Sequence, residues 1–169
     1  MLPIDSQGIR KMVIKDFDVK QGFACQGDVW AIAIPKDVPV DRSNEIAPKG
    51  GRLIIQEGES TGHHHAFDLM EREVPRSKEV DSLIKKALNN EIPLPTAHFY
   101  HDVNQKVSKA LLNRKILTRT DLTIGILVVE NGPMCLSHEE HSGIRFPVGA
   151  YLLGGQIESV HMEERKVVD

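Results

Sequence analysis

Imidazole binds transition-metal ions at neutral pH without first surrendering a tightly held proton, and its own charge changes near neutrality. The chain carries eight histidines, and five of them fall in two short segments, Gly62-His63-His64-His65 and Ser137-His138-Glu139-Glu140-His141. Side chains alternate along a strand, so His63 and His65 share one face and can chelate one ion, while His64 takes the other face. His138 and His141 stand three apart, which puts both rings on one side of a helical turn or a tight loop. Ser142-Gly143, next in the chain, favours the loop. The expected metal ligands are therefore His63, His65, His138 and His141, and the expected cofactor is a divalent transition metal: zinc, iron, nickel or manganese.

Carboxylates stand beside both segments. Glu59 precedes His63 by four residues, and Glu139 and Glu140 lie between His138 and His141. Glu59 and Glu140 are the candidate catalytic residues, as proton acceptors. The same carboxylates can instead supply an oxygen ligand or orient an imidazole through its second nitrogen. The spacing is not the His-Glu-x-x-His of zinc proteases, whose two ligands stand four apart on a helix, so that reading drops out. His98 and His101 repeat the three-residue spacing, but apolar neighbours make His98 a core or strand residue and His101 a neighbour of the helix-starting Asp102. Cys135 is either a soft ligand or a packed thiol between Met134 and Leu136, and His161 is a solvated residue of a charged tail.

These groups need strands and turns to bring them together. Residues 27–35 form a short apolar run between a glycine turn and a proline, as a buried strand does, with Trp30 anchoring the core. Residues 35–51 read as a long loop. A strand follows at 52–57, then a tight turn bearing two glycines, then the histidine triplet opening a strand through 66–69. Ser77 and the apolar spacing of Val80, Leu83, Ile84, Ala87 and Leu88 predict a helix over 77–90. Residues 103–113 read either as a second short helix or as a polar loop. Residues 122–130 and 134–136 make a strand and its return across Asn131-Gly132, and 144–153 and 156–160 make two more. Six to eight strands with one or two inserted helices describe a mainly β, single-domain sandwich or barrel spanning 1–169.

Composition fits that class. Of the 169 residues 40% are hydrophobic and 27% charged, as in a chain that folds on its own core. The net charge of −3 is dispersed, with no basic stripe for phosphates or an anionic membrane, so neither nucleic acid nor membrane is an expected partner. The two cysteines, Cys25 and Cys135, are read as reduced thiols, and no apolar stretch has the character of a signal peptide or a membrane span. The cytoplasm is the expected location. A small-molecule ligand and a homo-oligomer are the partners that stay open.

Several of these residues also carry resemblances. Gly27-Asp28-Val29, Glu57-Gly58-Glu59-x-Thr61-Gly62-His63-x-His65, Leu136-x-His138-Glu139-Glu140-His141, Pro147-x-Gly149-x-Tyr151 and Gln156 resemble an uncharacterised family of small bacterial proteins over most of the chain from Gly27. That resemblance implies no established function. Gly58, His63 and His65 also resemble the opening of the first cupin motif, which implies a β-barrel fold. Against the cupin pattern, no glutamate follows His65 before Glu71, and the second histidine pair precedes Pro147-Val148-Gly149. Two functions follow from the sequence: a metal-binding β-protein able to act as a metalloenzyme, or a non-enzymatic binding or assembly module with its histidines at a subunit interface.

Overall fold

The computed structural model describes residues 13–57, 64–68, 78–138, 141–155, 157–160 and 163–166. In chain order these form β1 (Ile14–Asp16), β2 (Phe23–Gln26), β3 (Val29–Ala33), β4 (Glu45–Ile46), β5 (Arg52–Glu57), β6 (His64–Asp68), α1 (Lys78–Leu88) and β7 (Thr96–Tyr100). A single 3-10 turn (Val103–Gln105) leads into α2 (Lys106–Asn113), followed by β8 (Thr123–Glu130), β9 (Met134–Ser137), β10 (Gly143–Phe146), β11 (Gly149–Gly155), β12 (Ile157–Val160) and β13 (Glu163–Lys166). One sheet runs β1-β10-β9-β6-β5, the other β2-β3-β11-β8-β7-β4, and β12 and β13 form a separate hairpin. The architecture is a sandwich; the described strands do not close into a barrel.

The apolar runs explain the layering. In β8 and β11 both faces are buried, so alternate residues serve two different cores. Leu127, Val129, Tyr151 and Leu153 join Leu53, Phe67, Leu136, Ile144 and Phe146 of the facing sheet in the core between the layers. Ile126 and Leu152 point the other way, where Trp30, Tyr100, and Val107 and Leu111 of α2 cover the outer face of the six-stranded sheet. Trp30 anchors this outer cluster and donates its indole N–H to the Gly155 carbonyl at 2.7 Å. A side chain at Gly154 would collide with it, since a Cβ there would lie 2.0 Å from the Trp30 ring, so glycine is required beside the indole.

Residues 103–113 resolve as a helix whose start is concealed. Asn104 and Gln105 adopt left-handed φ of 54° and 53°, which breaks the local pattern. Asp102 then reaches past them to accept from the backbone N–H groups of Val107 (3.0 Å) and Ser108 (2.9 Å) and from the Ser108 hydroxyl (2.6 Å). These bonds satisfy donors that a helix N-terminus leaves without partners. The helix expected over 77–90 is α1.

Three expectations need correction. The stretch 144–153 is two strands, because Pro147 has no N–H to donate and the chain leaves the five-stranded sheet there to enter the other. The charged tail contains β13, paired with β12. The described strands number thirteen, more than the six to eight expected, since short strands such as β1, β4 and β7 lack a strong pattern of their own.

At the crossover from β10 to β11, the Tyr151 hydroxyl donates to the Pro147 carbonyl at 2.7 Å, and its ring packs edge-on against Phe17 and Phe146. Burial pushes the Tyr151 phenol up from 10.0 to about 12. The folded protein therefore holds this proton more tightly than the unfolded chain does. The resulting stability is complete below pH 10 and is lost as the pH rises toward 12. Urea midpoints measured across this range should fall more steeply for the native chain than for Tyr151→Phe, which has no proton to lose.

Candidate functional site

The site grows from strand parity. In β6, His65 lies on the same face as Phe67, and both side chains are fully buried. His65 thus points between the sheets, at the end of the apolar core. The β5–β6 register shifts between Ile54 and Gln56, which places Gln56 opposite His65. From the facing sheet comes the β2–β3 hairpin, where Gln26 pairs with Val29 across a two-residue turn and Gly27 takes a φ of +55°. The two polar residues flanking Gly27, Gln26 and Asp28, are buried as well, as is His138.

A buried polar group must find partners, and these do. His65 Nδ1 lies 2.8 Å from Gln26 Oε1, and His65 Nε2 lies 2.8 Å from Asp28 Oδ1. The second Asp28 oxygen accepts from the Gln56 amide. The orientation of the Gln26 amide follows from its other contacts: its Nε2 donates to the carbonyls of Leu136 (3.0 Å) and Ser142 (2.8 Å). Both ring nitrogens of His65 therefore face side-chain oxygens of the β2–β3 hairpin.

The same Gln26 amide ties down both ends of the segment that carries the second histidine pair. His138 follows β9, and its ring centroid lies 4.4 Å from that of His65 with the planes tilted by 36°. His141 lies 4.4 Å beyond His138, and 6.2 Å from His65 with the two planes nearly parallel at 8°. Its ring rests on Gly27, where a Cβ would come within 2.5 Å of His141 Nε2. Gly27 thus serves the turn by its backbone angle and the site by its missing side chain.

Of the expected ligands, the structure gathers His65, His138 and His141 into one cluster, although 73 residues separate the first two in sequence. His63, Glu59 and Glu140 lie outside the described residues. His64 is partly exposed, as expected from its opposite parity. Cys135 is partly buried on β9, and its strand parity is opposite to that of the core residue Leu136. His98 belongs to a different place, the strand β7, with Nδ1 2.7 Å from Glu45 Oε1 and Nε2 3.7 Å from Glu130 Oε1. There Arg42 donates to Glu130 at 2.6 Å, holding that carboxyl below its ordinary range, and also donates to the Tyr100 hydroxyl. His101 is exposed, next to the capping residue Asp102.

Gln26, Asp28 and Gln56 were not foreseen as part of the site. The available signal was a polar pair flanking the glycine of a tight turn immediately before an apolar strand. Among the described residues, no group of three or more His, Cys, Asp or Glu side chains is arranged to hold a metal ion. Also among the described residues, no helix is long and apolar enough to cross a membrane. Comparison with protein-family models, curated proteins and solved structures gave no match.

Removing one partner of a buried hydrogen bond leaves the other unsatisfied, at a cost of about 1–3 kcal/mol. Asp28→Ala should therefore lower the unfolding free energy by roughly that much, measured by urea denaturation at neutral pH. A double-mutant cycle with His65→Gln should show strong coupling, because the second substitution removes the group that the first leaves uncompensated.

Proposed function

We propose that this chain binds a divalent transition-metal ion through imidazoles of its two histidine segments. The observation that supports this reading is the convergence of His65 of β6 with His138 and His141 of the β9–β10 connection into one cluster, with ring centroids 4.4 Å apart at each step. Imidazole is the donor chemistry that zinc, iron and nickel prefer, and packed side chains hold these rings at the end of a sandwich core. His63 precedes His64, the first residue of β6, and Glu140 precedes His141, so each of these further donors is one peptide bond from a described residue. The ligands of this reading are His63, His65, His138 and His141, with Glu59 and Glu140 as the carboxylates that would serve a reaction there. The cytoplasm, where thiols such as Cys25 and Cys135 stay reduced, is the compartment that goes with it.

The competing reading makes the histidines part of a subunit interface. It requires exposed rings, yet His65 and His138 are only 0% and 2% exposed within a single chain. Burial of that degree favours an internal site over a docking surface.

Elemental analysis of protein purified without an affinity tag decides the matter. The native chain should carry one ion, and His138→Ala/His141→Ala should lose it while keeping the β-rich circular dichroism of the parent. A native chain that holds no stoichiometric zinc, iron, nickel or manganese, even after reconstitution, would end this proposal in favour of the assembly module.

A further inference from the structure

Between β3 and β4 the chain runs over the outer face of the six-stranded sheet with little backbone support. Its two ends are pinned. The Ile34 N–H donates to the Ala150 carbonyl at 2.9 Å, and the Asn44 carbonyl accepts from the His101 N–H at 3.0 Å. Between these points, residues 35–43 make no backbone bond to another element among the described residues. Pro35 and Pro39 have no N–H to give, and the Val38 N–H turns back to the Pro35 carbonyl.

Side chains hold the segment instead. Val38 is buried in the outer cluster with Tyr100, Val107 and Leu111, and Val40 packs against the same cluster. An arginine pair stands on either side of these two valines. Arg114, just past α2, donates to both Asp37 oxygens at 3.0 and 2.6 Å, and Arg42 donates to Glu130 of β8 at 2.6 Å and to the Tyr100 hydroxyl at 2.8 Å. The Arg114 guanidinium holds the Asp37 carboxyl below its ordinary range, as Arg42 does for Glu130, so both are true ion pairs at neutral pH. All four charged side chains are exposed, where such a pair contributes little and salt screens it.

We propose that residues 35–43 are a strap that opens as a unit while the two sheets stay folded, and that its two arginine pairs set how often it opens. Opening draws Val38 out of the outer cluster and parts Arg42 from Tyr100, which bares apolar surface on the outer face of the sheet. It gives up one buried valine and bonds that lie at the surface, whereas global unfolding gives up both cores. The strap therefore belongs to the low end of the range of opening free energies within one fold. It is independent of the histidine cluster, which lies between the sheets.

Thiol labelling of Val38→Cys in the full chain tests this, because a reagent reaches that buried position when the strap lifts. Labelling is read residue by residue by peptide mass spectrometry, with Leu127→Cys between the sheets as the reference. Position 38 should label faster than position 127 and with a smaller dependence on urea. Raising NaCl from 0.05 to 1 M should speed labelling at 38 by about 2- to 30-fold, the effect of screening two exposed pairs, relative to 127. Asp37→Arg should speed it as well, and Asp37→Arg/Arg114→Asp should restore the slower rate. Equal rates and urea dependences at 38 and 127 would show that the segment opens only with the whole fold and would overturn the proposal. A rate at 38 indifferent to salt and to Asp37→Arg would remove the role of the pairs. If Val38→Cys does not fold, trypsin cleavage of the native chain after Arg42, inside the strap, serves in its place. That cut should accelerate with salt relative to a peptide of the same sequence, and a constant ratio overturns the proposal.

Discussion

A single amide carries much of this arrangement. Gln26 sits at the end of β2, and its side chain spans the gap between the two sheets, giving hydrogens to Leu136 and Ser142 and taking one from His65. Each contact closes a large sequence separation, 110 residues in the case of Leu136. Hydrophobic burial brings the sheets together but is indifferent to small shifts of one over the other. Directional bonds inside a low-dielectric enclosure are not, because a misplaced buried polar group forfeits its partner and its water together. The polar end of the sandwich therefore sets the relative position of layers that the apolar core only holds together.

The buried Asp28–His65 pair has the same two-sided character. Asp28 and His65 belong to facing sheets and meet at 2.8 Å out of reach of solvent. Such a pair adds little net stability over a well-packed apolar substitute, so its presence suggests a role other than holding the fold. Here the pair lies against His138, at the place where the two histidine segments converge. The surface network of Arg42, Glu130, His98 and Glu45 offers a contrast: similar groups, partly exposed, with bonds that solvent screens.

Period-two reasoning went far in this chain. It separated His64 from His65, outlined β5 at its observed limits and found the strands β3 and β8 from their apolar runs. It also foresaw a loop carrying His138 and His141. It went astray where long-range partners decide. Residues 144–153 read as one strand because nothing local shows that the two sides of Pro147 pair with different sheets. The start of α2 was obscured by two left-handed residues whose cap, Asp102, lies upstream of them. Within the site, a glutamine and an aspartate beside a turn glycine look like ordinary surface residues. They become central only when the sandwich folds that turn inward against a strand of the opposite layer.

The hairpin bearing Gln26 and Asp28 grows from β3, which is hydrogen-bonded to β11 inside a sheet covered on both faces. Its other strand, β2, is the edge of that sheet, while His141 sits in the connection between β10 and β9, the central strand of the other layer. The polar anchor and the second histidine pair thus belong to different stretches of chain. Substitutions in the connection between β9 and β10 can alter what the cluster meets without moving its anchor, so one scaffold can host a series of related sites that differ only in a few residues of a loop.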